Sequence, residues 1–99
     1  KLFAQEAISL DMNYAQGYYY LSLVRFAEKD YDEAIECMKR AIMFDVNNAA
    51  YYAKMSEIYK AVEDYKTALE YIKEAESISG NTEYKIMFTE LAGLNRKSK

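Results

Sequence analysis

The sequence predicts an all-α fold, specifically an α-solenoid of antiparallel helix-turn-helix hairpins. A 34-residue period is the first observation: residues 30–41 return as residues 64–75 with Asp, Tyr, Ala, Glu, Lys and Ala at the same six places. The second is the near absence of turn residues, with no proline and three glycines in 99 residues. The third is the abundance of helix formers such as Ala, Glu, Lys and Leu. A fixed period of this length is typical of stacked repeat units.

Apolar spacing and helix-start residues predict three helices in the first half of the chain. Apolar residues recur at helical spacing in residues 2–10 and predict the first helix. The second helix is predicted over 14–28, with Asn13 as its N-cap. Asp30 is suited to cap a third helix, which is predicted to end at about Phe44.

The same cycle predicts three helices in the second half. Residues 45–48 form a connector with two candidate asparagine caps, and a helix over 49–62 follows. Asp64 caps the next helix, which runs to about residue 78 and ends before Gly80. A last helix is predicted over 82–94.

Alignment of the repeats defines the expected domain organisation. Residues 15–48 and 49–82 share eleven identical residues in 34 positions, where chance gives about two or three. We expect one domain over 1–99, with the second helix of an incomplete repeat at 1–12, repeats at 15–48 and 49–82, a capping helix at 83–95 and a tail at 96–99.

Alternating small and large residues predict how each hairpin packs. Three alanines, Ala27, Ala34 and Ala41, are expected to let the helices approach closely. The large side chains expected to fill the remaining gaps are Tyr18, Leu21, Tyr31, Met38 and Phe44.

The composition disfavours several classes of function. The chain has no histidine and no glycine-rich phosphate loop, and its single cysteine, Cys37, is expected to be a buried or half-buried thiol. We therefore expect no enzyme, no metal site and no cofactor. A net charge of −3 argues against nucleic acid as a partner. No apolar stretch is long enough for membrane insertion, and a cytoplasmic location is compatible with the single cysteine.

The positions that recur in the two repeats resemble the tetratricopeptide repeat family. The residues that carry the resemblance are Tyr18, Leu21, Ser22, Ala34, Met38 and Ala41 in the first repeat, and Tyr52, Met55, Ser56, Tyr59, Ala68, Ile72 and Ala75 in the second. Three residues depart from the family pattern: Arg25 replaces a tyrosine, and Val46 and Gly80 replace prolines.

This resemblance implies a protein-protein interaction module, in which the first helix of each hairpin lines a concave groove that binds a peptide or helix of a partner protein. The residues that it places there as partner-binding are Tyr19, Tyr20, Leu23, Phe26, Lys54, Glu57 and Lys60. The alternative for the aromatic residues is packing against neighbouring helices. The alternative function is structural, namely assembly of a larger repeat protein or self-association through the N-terminal half-repeat.

Overall fold

The structure is a computed structural model that describes residues 12–97, and the side chains from Tyr14 to Lys97. The helix predicted over 2–10 and its half-repeat at 1–12 therefore lie outside the described residues, apart from Met12. The described residues form five α-helices and no strand, which confirms the predicted all-α fold. The helices are α1 (Met12–Ala27), α2 (Tyr31–Phe44), α3 (Ala49–Ala61), α4 (Tyr65–Ser79) and α5 (Thr82–Lys97).

Two helix ends differ from the sequence-based predictions. Asn13 is already helical, so it does not cap α1. At the other end, α5 continues to Lys97 and includes two residues predicted as tail. Arg96 and Lys97 lie in its last turn, where positive charge stabilises the negative end of the helix dipole.

The chain divides into two compact units, residues 1–47 and residues 48–99, each of which is described by itself. In the first unit, α1 and α2 pack side by side as a hairpin. In the second unit, α3 packs on α4 and α4 packs on α5.

A tight turn joins the helices of each hairpin, and it has the same geometry 34 residues later. Lys29 is left-handed, with φ of 65°, and the Asp30 N–H donates to the Arg25 carbonyl at 2.8 Å. Glu63 likewise has φ of 65°, and the Asp64 N–H donates to the Tyr59 carbonyl at 2.9 Å. These bonds satisfy carbonyls at the helix end in a Schellman-type pattern.

Aspartates start the second helix of each hairpin, as predicted. The Asp30 carboxylate accepts from the Glu33 N–H at 3.3 Å, and the Asp64 carboxylate accepts from the Thr67 N–H at 3.2 Å. Because the same aspartate closes the turn and caps the next helix, one residue type fixes both boundaries.

Small residues line the contact between α1 and α2. Ala15, Ser22, Ala34 and Ala41 are fully buried, and Met38 is buried with them. Partly buried rings fill the remaining space: Tyr18 stacks on Phe44 with ring centroids 6.3 Å apart, and Phe26 lies against Tyr31 with ring centroids 5.7 Å apart.

Two packing predictions for the first hairpin are wrong. Leu21 does not fill a gap in the core, since 38% of it is exposed. It precedes Ser22 by one residue and therefore lies about 100° around α1 from the face that meets α2. Ala27 is exposed as well, because it is the last residue of α1 and lies where the helix has already reached the turn.

One core cluster of the second unit consists of five buried residues contributed by three helices. They are Ala53, Ala68, Ile72, Ala75 and Leu91. Half-buried rings and aliphatic groups pack around them, including Tyr52, Tyr59, Tyr65, Tyr84, Met87 and Phe88. The α5 helix thus covers an apolar face of α4.

Glycine and asparagine side by side separate α4 from α5. Gly80 is left-handed, with φ of 69°, and ends α4 as predicted. The Asn81 side chain then accepts from the Glu83 N–H at 2.8 Å and starts α5. Asn48 has the same role at α3, where it accepts from the Ala50 N–H at 3.1 Å.

Candidate interaction site

The predicted partner-binding residues of α1 differ in how accessible they are. Tyr20 is 60% exposed, whereas Tyr19, Leu23 and Phe26 are half-buried. The rings of Tyr19 and Tyr20 lie together, with centroids 5.6 Å apart and planes tilted by 58°. Phe26 packs on Tyr31 of α2, so part of its ring already serves the hairpin. Tyr20, with Tyr19 beside it, offers the largest accessible aromatic surface of this set.

Tyr20 is also part of an exposed apolar surface along α1, here called the α1 stripe and defined as Tyr20, Leu21 and Val24. Leu21 is 38% exposed and Val24 is 48% exposed. Residues three and four apart are neighbours on a helix surface, so Val24 adjoins both others. Contiguous exposed apolar groups mark surfaces that bind other molecules.

The predicted residues of α3 are charged and polar. Lys54 forms an ion pair with Glu57 at 2.8 Å, and Lys60 is exposed one turn further along the helix. Such a partly exposed pair contributes little to stability. These three residues belong to the second unit and the four α1 residues to the first.

The second unit also has a pocket that was not expected from the sequence. It lies between α3 and α4, has a volume of about 280 Å³, and is lined by Tyr52, Thr67, Glu70, Tyr71 and Glu74. The Tyr71 ring stacks on Tyr52 at 6.3 Å and on Tyr59 at 5.6 Å between centroids.

The pocket coincides with a difference between the two repeats. Tyr71 and Glu74 stand where the first repeat has Cys37 and Arg40. Burial and the nearby Glu74 carboxylate raise the pKa of the Tyr52 phenol. An aromatic and an acidic residue thus replace a thiol and a cation at the same two positions of the repeat.

The single thiol is packed inside the first hairpin. Cys37 on α2 is buried, as predicted. Burial raises the pKa of this thiol, and the Glu33 carboxylate raises it further. The thiol is therefore held in its protonated form, which is a poor nucleophile.

Clustered metal-ligating side chains and membrane-spanning helices are both absent from the part of the chain that the structure describes. Residues 12–97 contain no group of three or more His, Cys, Asp or Glu side chains placed to hold a metal ion. None of the helices described here combines the length and the apolar character needed to cross a bilayer.

The hairpins and the 34-residue period together define an all-α repeat protein. Comparison with known families then identifies the repeat. The tetratricopeptide repeat matches residues 15–48 and again residues 49–82. Because the two matches cover more than half of the chain, the chain belongs to the tetratricopeptide repeat family. Its repeats are protein-interaction repeats.

Two solved structures have a similar fold. A crystal structure of MamA aligns with a TM-score of 0.68 and 20% identity, over 96% of this chain and 66% of that chain. A second crystal structure of MamA protein gives a TM-score of 0.68 and 23% identity, over 95% of this chain and 57% of that chain. The chain therefore spans less than two thirds of either MamA structure, and the likeness shows the fold alone. No curated protein matches the chain.

Proposed function

We propose that this chain is an interaction module that binds a peptide or helix of a partner protein in the concave groove implied by its family. The single observation that carries the proposal is the exposed Tyr20 beside Tyr19 on the first helix of a repeat. Half-buried Leu23 adds an aliphatic contact, and Lys54, Glu57 and Lys60 are proposed to make polar contacts. The binding needs no cofactor, and we assign no catalytic role to the chain.

Physical chemistry supports a tyrosine pair as the anchor. A tyrosine ring provides a large apolar area with only two side-chain torsions to fix, and its hydroxyl offers a hydrogen bond at the edge. Tyrosines are enriched among the few residues that dominate binding free energy. Tyr20 is accessible enough to lose much solvent contact when a partner covers it.

Selection from a random peptide library on the intact chain, followed by calorimetry, tests the proposal. Tyr20→Ala is expected to cost about 2 kcal/mol of binding free energy, the size typical of a dominant contact. Met43→Ala is the matched control, because Met43 is 70% exposed on α2 and lies outside the predicted set. Equal losses in both variants, with helix content unchanged, would contradict the assignment.

The α1 stripe favours a second candidate function, which is self-association or stacking on another repeat. Leu21 and Val24 are apolar and exposed, although neither belongs to the predicted peptide-binding set. Val24→Lys places a charge on the stripe and leaves Tyr19 and Leu23 intact. If the chain self-associates through this surface, light scattering over a concentration series will show oligomers in the natural chain and monomers in Val24→Lys. Monomers in both would exclude self-association through this surface.

A further inference from the structure

The pocket between α3 and α4 combines aromatic rings with carboxylates. Tyr52 and Tyr71 form part of its wall, and the Tyr59 ring stacks behind Tyr71 with an angle of 7° between the planes. Glu70 and Glu74 lie four residues apart on α4, so both carboxylates belong to one helix face beside the rings. Within the described part of the chain, neither carboxylate forms an ion pair.

In the first repeat, a cation lies over the tyrosine that corresponds to Tyr52. There the Arg40 guanidinium lies over the Tyr18 ring, 5.7 Å from its centroid. Tyr18 corresponds to Tyr52 in the repeat, and Arg40 corresponds to Glu74. The cation that the first hairpin supplies from its own α2 helix is thus replaced by a carboxylate in the second hairpin.

The replacement of Arg40 by Glu74 changes the charge beside the aromatic ring from positive to negative. The face of an aromatic ring attracts cations, and a carboxylate beside the ring can accept charge-assisted hydrogen bonds from the same cation. The pKa of the Tyr52 phenol is raised, first by burial and second by the Glu74 carboxylate. Glu74 therefore adds to the negative field at Tyr52. An anion or a neutral apolar group gains nothing from two adjacent carboxylates, whereas a planar guanidinium can stack on a ring and donate hydrogen bonds to carboxylates.

We propose that the pocket lined by Tyr52, Glu70, Tyr71 and Glu74 binds the guanidinium group of an arginine side chain from a partner protein. The arginine takes the place that Arg40 takes over Tyr18 in the first hairpin. The site uses none of the residues assigned above to peptide binding. It is therefore an additional contact point, and it stands or fails independently of the α1 residues.

A titration of the intact chain with Nα-acetyl-arginine amide tests the site, with tyrosine ring resonances read by NMR. The expected result is a saturable shift confined to the rings of Tyr52, Tyr71 and Tyr59. The neutral analogue Nα-acetyl-citrulline amide is expected to cause no saturable shift, because it has the same shape without the charge. Equal effects of the two probes, or shifts elsewhere only, would overturn the proposal.

Two variants locate the binding. Glu70→Gln combined with Glu74→Gln is expected to weaken the probe five- to tenfold, about the value of two exposed charge pairs. The control is Glu36→Gln combined with Glu90→Gln, which removes the same charge from exposed sites outside the pocket. Unchanged affinity in the first variant, or the same loss in both, would refute the site.

A third variant copies the first repeat. Glu74→Arg is expected to place a guanidinium over Tyr52 and abolish probe binding, and circular dichroism verifies that the helices remain. Retained binding of the arginine probe to Glu74→Arg would also contradict the proposal.

Discussion

The Ser22 hydroxyl donates a hydrogen bond of 2.8 Å to the Ala34 carbonyl, and both residues are fully buried. The bond joins α1 to α2 inside the first hairpin. The Ser56 hydroxyl donates to the Ala68 carbonyl at the same distance of 2.8 Å in the second unit. A buried hydroxyl has to be paired, so the bond makes a small polar side chain compatible with a tight apolar contact.

Removal of either hydroxyl should therefore destabilise its own unit. Ser22→Ala and Ser56→Ala are each expected to cost about 1 kcal/mol of unfolding free energy, the usual value of one buried hydrogen bond. Urea denaturation followed by circular dichroism measures the loss. Ser77→Ala is the control, because Ser77 is exposed and should change stability very little.

The left-handed turn residues predict stabilising substitutions. Lys29 and Glu63 both have φ of 65°, a conformation that costs a residue with a side chain about 1 kcal/mol. Lys29→Gly and Glu63→Gly are expected to recover about that amount in urea denaturation. Lys29→Ala keeps the steric cost and should leave stability nearly unchanged. A loss of stability in the glycine variants would show that the turns are not under this strain.

The glycines at 17 and 80 predict opposite effects of the same substitution. Gly80 has φ of 69°, so Gly80→Ala is expected to destabilise the chain by about 1 kcal/mol. Gly17 lies inside α1, and a Cβ there would meet nothing within 4 Å. Gly17→Ala should stabilise the helix by about 0.5–1 kcal/mol. Thermal denaturation of the two variants checks the sign, and a shift in the same direction would contradict the described backbone.

Cys37 predicts a dependence of stability on alkaline pH. Burial, followed by the Glu33 carboxylate, raises the pKa of this thiol in the folded chain above that of the unfolded chain. Its contribution is therefore fully present below the unfolded pKa of about 8.5 and is lost as the pH rises through the folded value. Compared with Cys37→Ala, the natural chain should therefore lose stability as the pH rises from about 8 through the raised folded pKa of the thiol. A constant difference between the two chains over this range would refute the effect.

Thiol labelling tests the same burial by another route. At neutral pH, a disulfide reagent should react with native Cys37 far more slowly than with the chain unfolded in guanidinium. Equal rates would mean that the thiol is accessible in the folded hairpin.

The aspartate caps and the all-α fold are predicted correctly from the repeat register because both depend on local sequence. Asp30 and Asp64 cap helices through neighbours three residues away, so their role is visible in the chain itself. The prediction that Leu21 packs in the core is wrong because burial depends on which side of α1 meets α2. Adjacent residues lie about 100° apart around a helix, so Ser22 is buried whereas Leu21 is exposed.

The pocket between α3 and α4 needed the structure. Tyr52 and Tyr71 are 19 residues apart in the chain, and only the hairpin stacks their rings. The change from Arg40 to Glu74 between repeats was visible in the sequence, but its meaning depends on the ring beside it. Differences between aligned repeats therefore identify candidate functional positions, and the fold shows which of them act together.

The most direct test of the central claim is to locate a bound peptide on the intact chain. A peptide selected from a random library is titrated into the isotope-labelled protein, and backbone and side-chain shifts are mapped by NMR. The predicted result is that the largest saturable shifts fall on Tyr19, Tyr20 and Leu23 of α1, and that they are lost in Tyr20→Ala. Shifts centred on α2 around Met43, or shifts unaffected by Tyr20→Ala, would contradict the claim that α1 carries the interaction.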